Sequence, residues 1–300
     1  MRKPLNARST QFVKIQTSAR ATLGANPASS ASRHPIRRPF SPAHGVSLST
    51  NLRCYVYQNL IVGTSTHHHH TPKENMTTIV IVGAGRGVGS AVAQRFGREG
   101  FAVALISRNQ SHLDTLAADL TADGITARGF AADVRDTAAL EHAIDTAAAT
   151  LGPIEVMQYS PIPHRDFLKP VLETTKADLA GAVDFSVFGP FAAARRVLDQ
   201  MRSVGTGTMV FINGGSAVRP NPGVAGTSIA FAAESAYAQI LHDTLAAENI
   251  HVAQLIIPGA IRPDSPDTSP AIIADRIWNL HQQRDGFRHF LTAMEPPATG

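Results

Sequence analysis

The chain carries a single cysteine, Cys54, in 300 residues. That excludes an intrachain disulfide framework and suits a reducing compartment. No apolar run approaches the roughly 18 residues a membrane helix needs, so no membrane partner is expected and a soluble, cytoplasmic protein is. Acidic residues are missing from the first 73 positions, which hold ten Lys/Arg and no Asp or Glu. From Glu74 onward 17 Lys/Arg face 23 Asp/Glu, a net charge near −6, although the whole chain is at +4. The sequence pI of about 9.5 therefore belongs to the leader. A nucleic-acid partner is excluded on the same ground, because the basic charge is not on the part that folds. Lysine and tyrosine are also scarce: no lysine follows Lys176, and Tyr237 is the only tyrosine after Tyr159.

Residues 1–75 are rich in Ser, Pro, Asn and Arg and show no sustained hydrophobic period. Such a segment buries too little apolar surface to offset its ordering entropy, and a disordered basic leader is expected. It reads either as an organelle transit peptide, which would place the protein in an organelle matrix, or as an extension upstream of a true start at Met76. The run His67 to His70 is a possible metal chelator or tag remnant, but in such a stretch is more often neither.

From Met76 the pattern changes. The β-branched run Ile79 to Val82 reads as a buried parallel strand, and it stops at Gly83, Gly85, Gly87 and Gly89. Ala91, Val92, Ala93 and Phe96 then begin a helical apolar period. Strand, glycine turn and helix form the layout in which backbone N–H groups at a helix N-terminus meet a phosphate, with no Cβ to hold the anion away.

Further strands are expected at 101–106, 125–130, 154–158, 207–212 and 252–257, with a short one at 287–291. Helices fall between them, among them Ala138 to Leu151, one long helix from Leu172 to about Met201 kinked at Pro190, Ile229 to Ala247, and Pro270 to Gln283. Strand–helix alternation implies an α/β fold: a doubly wound parallel sheet, Rossmann-type, in three α/β/α layers. No linker interrupts it, so residues 76–300 are expected to be one dinucleotide-binding domain.

The spacing of Gly83, Gly87 and Gly89 is GxxxGxG. With the features that follow it, this resembles the short-chain dehydrogenase/reductase family over about Thr77 to Leu291. The resemblance implies a nicotinamide cofactor, an oxidoreductase activity on a small carbonyl or alcohol, and a homodimer or homotetramer packed through two long helices. The loop residues Gly83, Arg86, Gly87, Val88 and Gly89 would carry the pyrophosphate side. Ser107-Arg108 ends the second strand, where an acidic residue would select NAD. With Arg86, Arg108 instead suits a 2′-phosphate, so NADP is the expected cofactor. Asp133-Val134 matches the family's Asp-Val at the adenine, and Pro258-Gly259 its turn at the nicotinamide carboxamide.

The catalytic positions depart from the family. Its tetrad is Asn, Ser, Tyr and Lys, the last two as YxxxK. Matching Ser228 to Ala233 on the family's helix puts Thr227 at the tyrosine, Phe231 at the lysine, Ser186 at the asparagine, and Gly214 or Gly215 at the serine. All four roles read as vacant. The family's NNAG becomes Tyr159-Ser160-Pro161-Ile162, which places Tyr159 near the cofactor cleft as a cofactor contact, as a core or stacking residue, or as a replacement proton donor. Catalytic candidates are thus Tyr159, Ser186 and Thr227. His164 and Asp166 lie on the loop beyond, on the ligand-binding side of such folds, and read as solvated loop residues. No cluster has metal-ligand spacing. Two functions follow: an NADP-dependent oxidoreductase with an altered catalytic set, or a cofactor-binding sensor or structural subunit without hydride transfer.

Overall fold

The computed structural model describes residues 76–294. The leader and its histidine run lie outside the described residues. β1 (Thr78–Val82) is buried at every position, as a strand of five β-branched residues covered on both faces must be. It pairs in parallel with β2 (Ala102–Ser107) on one side and β4 (Ile154–Tyr159) on the other. Beyond β2 lies β3 (Ala127–Ala131). Beyond β4 come β5 (Gly207–Gly214), β6 (Ile250–Ile257) and β7 (Arg288–Phe290). The seven-stranded sheet has the order β3-β2-β1-β4-β5-β6-β7, and every pairing is parallel.

Helices cover both faces, so the expected doubly wound α/β fold is present. On one face α1 (Val88–Arg98), α2 (Gln110–Ala122) and α7 (Pro270–Gln283) bury Val92, Phe96, Leu113 and Ile277 against Ile79, Ile81 and Leu105. The Phe96 and Trp278 rings meet edge to face at 5.0 Å and tie α1 to α7. On the other face α3 (Thr137–Leu151), α4 (Lys176–Val183), α5 (Gly189–Val204) and α6 (Ala225–Leu245) pack over Val80, Val82, Met157, Tyr159 and Phe211. No helix among the described residues is long and apolar enough to cross a membrane.

The single helix expected over 172–201 is instead two. α4 starts at Lys176 because Thr175 and Asp178 form a reciprocal cap, each side chain accepting from the other's backbone N–H. Leu172, four residues earlier, lies outside it and exposed. α4 and α5 are joined by a π-turn, Asp184–Phe188, in which Gly189 N–H donates to the Asp184 carbonyl five residues back. Pro190, in the first turn of α5, has no N–H to donate and its ring would strike the Ser186 carbonyl in a regular helix. The wider turn accommodates it. Smaller shifts move β3 to Ala127–Ala131, extend β5 to Gly214 and start α6 at Ala225.

Candidate active site

The sheet order reverses between β1 and β4, so a crevice opens at their carboxyl ends. A cavity of about 320 Å³ occupies it, bounded by the glycine loop, the ends of β2 and β3, and the loop after β4. Gly83 turns the chain at φ 98°, and a Cβ there would sit 2.5 Å from the Pro161 nitrogen. Gly89 lets α1 approach the loop, since a Cβ would stand 2.9 Å from the Ala84 Cα. A Cβ on Gly85 or Gly87 would meet nothing, which leaves room above the loop. The 11-residue α1 begins after Gly87 with no side chain capping it. Ser90 N–H donates to the Gly85 carbonyl and Ala91 N–H to the Gly87 carbonyl, so the N–H groups of Val88 and Gly89 and the positive end of the dipole are left to an anion. This loop and cavity fit the pyrophosphate of a dinucleotide.

Gly83, Ser107, Arg108, Asp133 and Val134 all line the cavity. Arg86 is exposed on the glycine loop. Gly87, Val88, Gly89, Pro258 and Gly259 do not border the cavity, and Gly259 turns at φ 81° just beyond β6. Arg108 makes no ion pair among the described residues, but Asp133 does. Arg135 donates to the Asp133 carboxylate through Nη2 at 2.8 Å, through Nε at 3.2 Å and through its backbone N–H at 3.0 Å. These bonds, with the nearby Arg108 charge, hold the carboxyl below its usual range despite partial burial. A second, shallower depression of about 500 Å³ lies over β3 between α2 and α3, away from the crevice.

Tyr159 is not in the cavity. Its side chain points from the end of β4 into the α4–α5 face, where it is 1% exposed and its hydroxyl donates to the Phe185 carbonyl at 2.7 Å. Burial, then the Glu234 and Asp133 charges, pushes its phenol well above the usual value. The side chain of a strand residue goes where the pleat sends it, and here that is the core. Tyr159 is therefore corrected from cofactor contact and replacement proton donor to core residue.

Ser186 and Thr227 are buried as well, at 1% and 3% exposure. The Thr227 hydroxyl is spent on the Val224 carbonyl at 3.2 Å. The loop after β4 closes onto the start of α6 beside it: Ala225 N–H donates to the Lys169 carbonyl, Val171 N–H donates to the Pro222 carbonyl, and a Cβ on Gly226 would lie 2.7 Å from the Phe167 carbonyl oxygen.

A residue that sequence reasoning passed over lies beneath these positions. Glu234, on α6 two turns beyond Thr227, is 1% exposed. Burial pushes its carboxyl up to about 8, with Asn213 and Ser186 pulling the other way. Both stand near the carboxyl, yet Glu234 Oε1 and Asn213 Nδ2 form no hydrogen bond among the described residues. Asn213 Oδ1 accepts from Gln254 Nε2 at 2.8 Å, and Gln254 Oε1 accepts from Ser235 Oγ and Arg288 Nε, each at 2.9 Å. The helical spacing of Thr227, Phe231 and Glu234 was the signal that could have found it. Arg135, directly after Asp133-Val134, and His112 on α2 line the cavity and were passed over as well.

Residues 77–270 match the short chain dehydrogenase family. The chain belongs to that family. A curated relative, 2,3-dihydro-2,3-dihydroxybenzoate dehydrogenase of Bacillus subtilis, is 30% identical over 61% of this chain and 69% of its own length. D-threitol dehydrogenase of Mycolicibacterium smegmatis is 31% identical, and the chain spans half of its length. A short-chain dehydrogenase structure from Rhodopseudomonas palustris superposes with a TM-score of 0.64 at 28% identity, covering 72% of this chain and 98% of that one. Both curated relatives are dehydrogenases, and oxidoreductase chemistry with a nicotinamide cofactor is what this family is known by.

Proposed function

We propose that the protein is an NADP(H)-dependent oxidoreductase acting on a small carbonyl or alcohol without the family's Tyr–Lys pair. The observation that carries the NADP reading is the position of Arg108: it follows Ser107 at the end of β2 and lines the same cavity as Gly83 and Asp133. A guanidinium there suits a phosphate and offers nothing to a ribose 2′-hydroxyl that a carboxylate would accept from. Asp133, already engaged by Arg135, keeps an ionised carboxylate at the adenine end rather than a bare one that would repel a phosphate. The α1 N-terminus and the open face of Gly85 and Gly87 would hold the pyrophosphate. Bound there, the dinucleotide supplies or accepts hydride at its nicotinamide ring.

The absence of YxxxK is part of the same proposal: with Thr227 at the tyrosine position, its hydroxyl already bonded to a carbonyl, and no lysine after Lys176, neither the phenol nor its ammonium partner is available. An inactive sensor is the less favoured reading, since the matched relatives are enzymes. A homodimer or homotetramer is proposed through α5 and α6, which leave Phe191, Ile229 and Ile240 exposed beside Phe188 of the π-turn. A cytoplasmic site rests on the lone Cys54 and stays a proposal.

The test is fluorescence titration of NADPH and NADH into wild type and Arg108→Asp. NADPH is expected to bind wild type about ten- to a hundredfold better, the worth of charge-assisted phosphate contacts, and the order should invert in the variant. Equal affinities in wild type would reject the reading.

A further inference from the structure

With Thr227 bonded to its own helix, Tyr159 in the core and Glu234 sealed beneath, a proton donor has to come from the cavity wall. The titratable side chains there are Arg108, His112, Asp133, Arg135 and His164. Asp133 and Arg135 neutralise each other, and Arg108 and His112 stand at the β2 end with the adenine half. His164 stands at the other end, on the loop after β4, which is the side of β1 that faces β5 and β6.

Its ring is held in place. His164 Nδ1 lies 3.1 Å from Asp166 Oδ2, and the Phe167 ring packs against the imidazole at 6.1 Å. Phe167 is itself buried and fixed by the close contact of its backbone with Gly226. The Asp166 backbone N–H also approaches Nδ1, at 3.4 Å, so this nitrogen accepts from it when the ring is neutral and donates to the Asp166 carboxylate when the ring is protonated, while Nε2, on the far side of the ring, has no partner among the described residues. The charged and titratable groups around it are Asp166 and Arg165 on the same turn, and Arg108, His112 and the Asp133–Arg135 pair on the wall of the same cavity.

We propose that His164, oriented by Asp166, is the group that exchanges a proton with the substrate oxygen; this rests on the oxidoreductase reading above. In the reducing direction a hydride from NADPH forms the new C–H bond at the carbonyl carbon. The C=O π electrons take a proton from Nε2–H of the imidazolium, and NADP⁺ and a neutral imidazole are left. Water reprotonates the ring. In the oxidising direction each transfer reverses.

The experiment compares wild type, His164→Gln and Asp166→Asn. The His164 and Asp166 side chains are each about half exposed, and circular dichroism checks that each variant folds. NADPH titration by fluorescence measures cofactor affinity separately from turnover in each variant. Over a panel of aldehydes, ketones and quinones, His164→Gln should lose at least about a hundredfold in kcat, the scale of a general acid. Its rate profile should lose the alkaline limb, and Asp166→Asn should fall about tenfold with that limb displaced. Independently of turnover, the ¹⁵N imidazole resonances of His164 should move by different amounts on adding NADP⁺ and NADPH, which differ by the charge of the nicotinamide ring. Turnover in His164→Gln within twofold of wild type, or imidazole resonances indifferent to both dinucleotides, overturns the proposal for His164 alone. A wild type that binds NADPH yet oxidises it with no member of the panel overturns the oxidoreductase reading instead.

Discussion

Replacing Glu234 with glutamine should flatten the pH dependence of stability. The carboxyl is buried with an orphaned oxygen, and burial moves it from its ordinary 4.5 to about 8. At about 1.4 kcal/mol per pH unit this corresponds to about 5 kcal/mol. The direction follows from proton counting. Between pH 4.5 and 8 the folded protein keeps the proton that the unfolded chain has released, so the folded state binds more protons and stability falls as pH rises. The favourable contribution is complete below 4.5 and is lost by the time pH passes about 8. Glutamine has the same shape and no proton to lose. Urea denaturation of both proteins across this range should show the wild type losing about 1 kcal/mol or more per pH unit relative to Glu234→Gln, with the curves converging toward acid. Other titrating groups are common to both proteins and cancel in the difference. Parallel curves would refute the reasoning, for they would mean that Glu234 is ionised in the fold and held by partners other than Asn213 and Ser186.

Three further outcomes are expected. Tyr159→Phe should cost about 1–2 kcal/mol in thermal or urea denaturation, because the Phe185 carbonyl loses a buried donor, while NADPH affinity measured by fluorescence is unchanged. Gly83→Ala should destabilise by more than about 2 kcal/mol and abolish dinucleotide binding, since the alanine methyl must both accept φ 98° and displace the Pro161 backbone. Paired Phe191→Glu and Ile240→Glu changes should yield a monomer by light scattering if α5 and α6 carry the subunit contact.

Much of the fold was legible because its signals are local. The β-branched run before Gly83 could only be a central strand, and Pro270 to Gln283 is a helix at the very bounds its period indicated. The cavity residues on β2 and β3 were legible for a related reason: they follow directly on strands, and strand ends in this architecture meet the ligand. What escaped depends on contacts distant in sequence. Nothing in the order of residues says that the pleat turns Tyr159 inward, or that Gly189 must admit its hydroxyl, where a Cβ would come within 2.5 Å. Glu234 escaped because an acid among alanines on a long helix reads as a solvated face until β5 and the π-turn are brought over it. His164 and Asp166 read as separate loop residues until a single turn closed them onto one another.

The π-turn makes chain length at this point a quantity under constraint. Asp184–Phe188 holds one residue more than an α-helical turn requires. Deleting a residue there would restore an ordinary helix and rotate everything before it by about 100° relative to α5, at 3.6 residues per turn. Ser186 would swing away from Glu234, and α4 would present a different side to the loop that Lys169 anchors through Asp178. Sequences sharing this site should therefore tolerate insertions in the loop before Thr175 and none between Asp184 and Pro190, a pattern of gaps that residue identity would never reveal.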